Sequence, residues 1–307
     1  MSDMQIKHKK IMAAAGILLT TMIWGGSFVV MKNSVDVMPP AYLLAVRFTA
    51  AAVALLVFSF RRILKLGRET LACGAVMGLF LELSYLLQTY GLKYTTASKN
   101  AFITTLYVII VPFLHWFLSK KRPGVHHMLA AFLAVIGLAL LSLQGSLGLQ
   151  FGDFLTLLCG ISFAFHVVFT DRFTEQHDPV GLTAVQITVA AVLSWCLAPF
   201  LDGGFEPAVL AEPGFIGGIL YLAILSTMVG FLLQSVGQKY LSANTSAILL
   251  SLESVFGALF SVIFLGERLT GRMFVGCGFM LGAVLLAEVR PGKQKPAADS
   301  LPGHDAA

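Results

Sequence analysis

Three ionisable side chains, Glu82, His166 and Glu253, stand inside long apolar runs, where water is scarce. A carboxylate at such a depth costs about 2.5–3.5 kcal/mol on insertion scales, so each acid demands a partner, a wet cavity or a proton. Around Glu82, the residues Gly74, Gly78, Glu82, Tyr85 and Thr89 recur at three- and four-residue steps, drawing one small and polar stripe along an otherwise greasy helix. That stripe faces other helices or a cavity. Its acid is either a ligand for a substrate amine and a carrier of protons, or hydrogen-bonding glue between helices. Asn100, Thr104 and Tyr107 make a similar stripe further along. His166 can relay protons near neutral pH, or sit neutral against a backbone carbonyl. Trp24, with Ser27 one turn on, either stacks on a ligand or anchors near an interface. Arg47 pairs with a carboxylate, binds an anion or snorkels to the interface.

Catalytic patterns are missing. The chain has no GxSxG, no HExxH, no phosphate-binding loop and no paired aspartates on adjacent helices, which argues against an enzyme and against ATP-driven transport. No metal or cofactor is expected. All four cysteines, Cys73, Cys159, Cys196 and Cys277, fall in apolar runs at irregular spacing and read as small hydrophobes.

The elements that must position these groups are set by composition. Hydrophobic residues make up 57% of the chain and charged ones 12%, with a mean hydropathy of +0.83, far from a soluble protein. Apolar runs predict ten spans near 11–31, 42–60, 70–90, 97–118 and 126–143, then 152–171, 180–200, 214–238, 243–265 and 271–289. They are continuous and rich in Leu, Ala, Gly and Phe, so helices are expected rather than strands of a barrel. The start, Lys7-His8-Lys9-Lys10 before an apolar run, has the outline of a signal peptide, but the run continues to Met31.

The net charge of +5 sits in short clusters between the spans, which fits membrane orientation and not a nucleic-acid partner. With ten spans, basic residues gather on the side of the N-terminus, at Arg61, Arg62, Lys65, Arg68, Lys120, Lys121 and Arg122. The acidic loop with Asp202, Glu206 and Glu212 falls on the other side. The positive-inside rule then places both termini in the cytoplasm of a cell with an inner membrane. Residues 1–10 form a cytoplasmic N-terminal segment, and residues 290–307 are expected to be a disordered tail.

The chain also repeats itself. Gln88-Thr-Tyr-Gly91-Leu-Lys93-Tyr94 returns 146 residues later as Gln234-Ser-Val-Gly237-Gln-Lys239-Tyr240, while Gly25-Gly-Ser27-Phe28 returns as Gly160-Ile-Ser162-Phe163 and Val46-Arg47-Phe-Thr49 as Val185-Gln186-Ile-Thr188. Two five-helix halves, 11–143 and 152–289, follow. Five is odd, so the second half enters the membrane inverted, as in many carriers. The expected fold is an all-α integral membrane protein of ten transmembrane helices in two inverted repeats. Glu82, Tyr85, Trp24 and His166 match Met228, Phe231, Cys159 and Met31, and these symmetry-breaking residues are the leading pocket candidates. Tyr107 matches Glu253, and Arg47 matches Gln186. Gly78, Gly137, Gly257 and Gly282 read as close-packing points.

Several of these residues together resemble the EamA family of the drug/metabolite transporter superfamily. They are Trp24-Gly25-Gly26-Ser27-Phe28 with Lys32, Pro39-Pro40, Arg47-Phe48, Asp153, Leu252-Glu253 and Leu265-Gly266-Glu267-Arg268-Leu269. The resemblance implies a carrier, with four helices of each half around a cavity and the fifth at the periphery. It implies an exporter of small metabolites such as amino acids, with Glu253 as a helix-packing anchor or coupling residue. The cavity would be lined by spans 1 to 4 and 6 to 9. Two departures stand out: Ser254 where a proline usually follows the glutamate, and Lys120-Lys121-Arg122 where Gly-Glu-Arg is common. Expected partners are a small-molecule substrate, protons and the bilayer, with the chain a monomer or a homodimer. Proton coupling is the favoured drive, with facilitated exchange or a channel as alternatives.

Overall fold

A computed structural model describes residues 3–120, 122–142, 150–266 and 270–289 of the chain. Lys121, the Glu267-Arg268-Leu269 motif and the tail from Arg290 lie outside the described residues. Every regular element among the described residues is helical. The first half contains α1 (Asp3–Val35), α2 (Pro40–Ile63), α3 (Arg68–Lys93), α4 (Ala97–Thr105), α5 (Tyr107–Ser119) and α6 (Val125–Ser142). The second contains α7 (Phe151–Thr174), α8 (Pro179–Leu201), α9 (Pro213–Leu220), a π segment (Tyr221–Val229), α10 (Gly230–Gln238), α11 (Ala243–Leu250), α12 (Glu253–Leu265) and α13 (Gly271–Val289).

Among the described residues, eight stretches are long and apolar enough to cross a membrane: Met4–Val35, Pro40–Ile63, Arg68–Lys93, Ala97–Ser119, Phe151–Thr174, Pro179–Leu201, Pro213–Gln238 and Ala243–Phe264. The other two predicted spans coincide with α6 and α13, whose described apolar stretches are Val125–Gly137 and Phe274–Leu286. The surface is inverted relative to a soluble protein. Phe58, Phe117 and Phe200 are exposed, Phe200 at 87%, while Arg47, Asn100, Asp153 and His166 are fully buried. Such a distribution suits a lipid solvent, which rewards outward apolar groups and forces polar ones inward.

Two predicted spans are broken. α4 ends at Thr105 and α5 begins at Tyr107; α11 ends at Leu250 and α12 begins at Glu253. The local chemistry is the same in both. Thr96 and Ser242 cap the helix starts, accepting from the backbone N–H of Lys99 and Thr245. Just before each break a hydroxyl bonds back three residues, Thr105 to the Phe102 carbonyl and Ser251 to the Ile248 carbonyl, 2.8 and 2.7 Å. That competes with the helical ladder and tightens the turn, so Leu106 and Leu252 adopt nearly identical torsions, φ −59° ψ −11° and φ −64° ψ −12°. Both helices end left-handed, at Lys120 (φ 57°) and Gly266 (φ 68°). For Lys120 that conformation costs roughly 1–2 kcal/mol that glycine avoids, offset partly by the flexibility glycine adds to the unfolded chain. Lys120→Gly is therefore expected to stabilise the protein by about 0.5–1 kcal/mol, read as a raised thermal midpoint in detergent; an unchanged or lowered midpoint contradicts it.

The predicted span 214–238 departs from α geometry at its centre. There the Thr227 hydroxyl reaches back five residues to the Leu222 carbonyl, 2.8 Å, and the wider π turn turns hydroxyls and a carbonyl outward.

Helix α1 packs on α12 and α10, α7 on α3, α5 and α4, α2 on α8, and α6 on α13. The glycine motif explains one of these seams. A Cβ on Gly25 would stand 2.8 Å from the Gly257 nitrogen, so only glycine lets α1 lie against the α12 backbone. Gly78 and Gly137 are equally close-packed, against the Gln186 and Gly276 carbonyls at 2.7 Å, whereas Gly257 and Gly282 are in ordinary contact.

Candidate functional site

The broken helices α5 and α12 begin at Tyr107 and Glu253, and the two residues meet at the centre of the bundle. The Tyr107 hydroxyl faces the Glu253 carboxyl, short of hydrogen-bond geometry. Around them lies a cavity of about 20 Å³. Trp24, Ser27 and Phe28 from α1 line it, with Tyr85 and Gln88 from α3. Phe163 and Val167 from α7, Gln234 from α10 and Leu250 from α11 complete the wall. This volume holds about one water molecule, too little for a metabolite in this arrangement.

Behind the wall, the π segment organises the polar groups. Trp24 donates its indole N–H to the Ser226 carbonyl, 2.8 Å, and Tyr221 donates to the Ile23 carbonyl, 2.7 Å. Arg47, reaching from α2, donates Nε to Thr227 Oγ1 at 2.7 Å, and Nη2 to Ser226 Oγ at 2.9 Å and to the Tyr85 hydroxyl at 3.3 Å. Its guanidinium carbon lies 4.5 Å from the centre of the Tyr85 ring. Among the described residues Arg47 forms no ion pair, which corrects the expectation of a carboxylate partner. The reason is the π turn, whose hydroxyls sit where a carboxylate was expected.

Five of the sequence candidates, Trp24, Ser27, Tyr85, Tyr107 and Glu253, line this cavity. Three do not. Glu82 accepts from the Ser194 hydroxyl of α8, 2.7 Å, in the seam where Gly78 meets α8, so this part of its stripe faces a helix and not the cavity. His166 is bonded through Nε2 to Gln186 Oε1, 2.7 Å, and packs edge-on to Phe163 and Phe231 one layer back. Arg47 stays behind Tyr85. Neither α2 nor α8 reaches the lining, which narrows the expected ring of spans 1 to 4 and 6 to 9: the two helices pack on each other outside α3 and the π segment.

The end of the bundle remote from the chain start is tied by charge. Asp153, fully buried, accepts from Lys99 Nζ at 2.5 Å, from Thr95 Oγ1 at 3.0 Å and from the Gln150 N–H at 2.8 Å. Lys32 donates to the Leu92 and Thr95 carbonyls, and Asp202 takes the Tyr90 hydroxyl and the Ala41 N–H. At the near end Thr70 and Cys73 meet His177, and His115 Nε2 lies 3.7 Å from Asp171.

Residues 11–143 and 150–288 each match the EamA-like transporter family. The chain belongs to that family. An uncharacterized transporter of Archaeoglobus fulgidus is 32% identical over 282 residues, covering 92% of this chain and 87% of its own. The uncharacterized transporter YoaV of Bacillus subtilis is 23% identical, covering 87% and 94%. A solved crystal structure superposes with a TM-score of 0.73 at 20% identity, over 90% of this chain and 96% of that one, which establishes the likeness of fold. This EamA chain is thus a multi-pass membrane protein of a transporter family, and its relatives' names point away from an enzyme.

Sequence reasoning missed part of the EamA cavity: Phe28, Gln88, Phe163, Val167, Gln234 and Leu250. A signal was present. Gln88 matches Gln234 and Phe28 matches Phe163 in the repeat, and matched residues converge wherever two halves meet. Searching only for residues that break the repeat passed over them.

Proposed function

We propose that this chain is a secondary-active transporter that exports small metabolites, amino acids and related amphipathic compounds among them, across the inner membrane by alternating access. The observation that carries this reading is the small cavity at the meeting point of two repeat-matched broken helices. In this reading ten helices form two inverted five-helix repeats, with both termini cytoplasmic. The packing supports it, because exchanging the halves reproduces the contacts. α1 meets α12 and α10 as α7 meets α5 and α3, α2 meets the π segment as α8 meets α3, and the pairs α2–α8 and α6–α13 exchange into themselves. Two such halves can supply an inward-open and an outward-open arrangement around one site.

A protonatable carboxyl on the lining, Glu253, supports coupling to protons, since a buried acid is neutralised either by a proton or by a substrate cation. Glu82 and His166, one layer back, are further candidates to carry protons. The test is uptake and counterflow in proteoliposomes with a pooled panel of labelled metabolites, with and without a pH gradient. Saturable counterflow accelerated by the gradient is expected. Exchange indifferent to the gradient removes proton coupling, and the absence of any saturable flux overturns the transporter reading.

A further inference from the structure

From the charge and the rings of the cavity wall we infer that the substrate is an organic amine bound as its ammonium ion and lacking a carboxylate of its own. The inference rests on the transporter reading and narrows its range of substrates to amines, setting aside the amino acids named there.

Several donors of the wall are already engaged. Ser27 donates to the Trp24 carbonyl at 2.7 Å and Trp24 to the Ser226 carbonyl at 2.8 Å; Gln88 donates to Thr104 Oγ1 at 3.3 Å and Gln234 to Gln238 Oε1 at 2.9 Å. What remains toward the cavity includes acceptors and rings, with the unpartnered Tyr107 hydroxyl beside Glu253. Gln234 is 1% exposed and its Oε1 has no hydrogen-bond partner. The Glu253 carboxyl, 4% exposed, lies on the lining beside Tyr107. Trp24, Phe28, Tyr85 and Phe163 add aromatic rings to the same wall.

Charge points the same way. Arg47, the cation near this site, is fully buried behind Tyr85 on the hydroxyls of Ser226 and Thr227. Among the described residues no Lys, Arg or His lines the cavity, so its formal charge is that of Glu253 alone. A carboxylate in a low-dielectric site requires a positive partner, and aromatic faces stabilise a soft cation while offering nothing to an anion. A ligand carrying a carboxylate would need a cation that this wall does not supply and would meet the charge of Glu253, which disfavours zwitterionic amino acids as well as anions. A primary ammonium fits all three features: it donates up to three hydrogen bonds, carries one positive charge and packs on rings.

The experiment uses the full-length chain purified in detergent at neutral pH, with labelled tryptamine displaced by tryptamine, tryptophan, tryptophol and indole-3-propionate. These four share the indole and differ in charge. Tryptamine is expected to bind at least about ten-fold more tightly than the other three. Glu253→Gln is expected to weaken tryptamine by about ten-fold or more while leaving tryptophol unchanged, with Glu253→Asp retaining part of the affinity. Should Glu253→Gln fail to fold, Gln234→Leu, which removes an acceptor but no charge, is expected to weaken tryptamine by a smaller factor. Equal binding of the four, tighter binding of tryptophan or indole-3-propionate, insensitivity to both substitutions, or no binding of tryptamine overturns the amine assignment. Counterflow of other solutes in that case leaves the transporter standing. Tryptamine binding without flux of any solute, by contrast, leaves the amine site and removes the carrier.

Discussion

Replacing Arg47 with alanine is expected to destabilise the protein by about 3 kcal/mol and to abolish flux. The guanidinium is fully buried and holds three hydroxyls from two other helices, Thr227 and Ser226 of the π segment and Tyr85 of α3. Hydrogen bonds to a charged group contribute about 1.5–3 kcal/mol, and a truncated side chain of this size leaves a void that the packed helices cannot fill completely. The functional loss has a separate cause: without Arg47 the Tyr85 ring, which it backs at 4.5 Å, loses its fixed position in the cavity wall. Arg47→Lys is expected to recover little, because an ammonium cannot reproduce a fork that reaches Thr227 through Nε and Ser226 through Nη2. Denaturant unfolding in detergent and counterflow in proteoliposomes read the two effects. Alanine and wild-type proteins that unfold at the same midpoint contradict the account.

Asp153→Asn carries the second large effect, and it concerns the gate. Asp153 joins the start of α7 to the α3–α4 connection through Lys99 and Thr95, so it holds the two halves together at the end remote from the chain start. Repeat-matched positions at the other end are uncharged: Thr245 stands for Lys99 and Leu241 for Thr95. The Lys99–Asp153 link is thus not repeated by symmetry, and in the proposed cycle it favours closure at the remote end. Asparagine keeps the shape and removes the charge, weakening the link by about 1.5–3 kcal/mol. In a Ser27→Cys reporter lacking the four native cysteines, labelling by an impermeant maleimide from the remote end is expected to accelerate about ten-fold or more. An unchanged rate, with folding intact, means that Asp153 only caps its helix.

Much of this was legible in the sequence, and the limits are physical. Long apolar runs, an ordered repeat and a pair of adjacent glycines specify helices, their approximate number and one close seam, because each depends on local composition. The breaks at Leu106 and Leu252 do not follow from hydropathy. They arise where Thr105 and Ser251 compete for a backbone carbonyl, a contest that apolar neighbours do not reveal. Nor does a stripe fix which neighbour it meets. Gly74, Gly78 and Glu82 turn toward α8 while Tyr85, three residues on, reaches the cavity, a rotation of less than one helical turn that only packing decides. Arg47 shows the same limit: its sequence context demands a partner, and the partner is a set of hydroxyls displayed by a π turn.

The most direct test of the central claim, that one central site opens alternately to the two sides, is the accessibility of Ser27→Cys in oriented vesicles. The background carries no other thiol, with Cys73, Cys159, Cys196 and Cys277 replaced. Ser27 lines the cavity, 8% exposed, and an impermeant reagent reaches it only when one end opens. The account predicts labelling from either side of the bilayer, with each rate shifted in opposite directions by Asp153→Asn. Labelling from one side alone under every condition, or a thiol that stays open to both sides at once as in a channel, would contradict it.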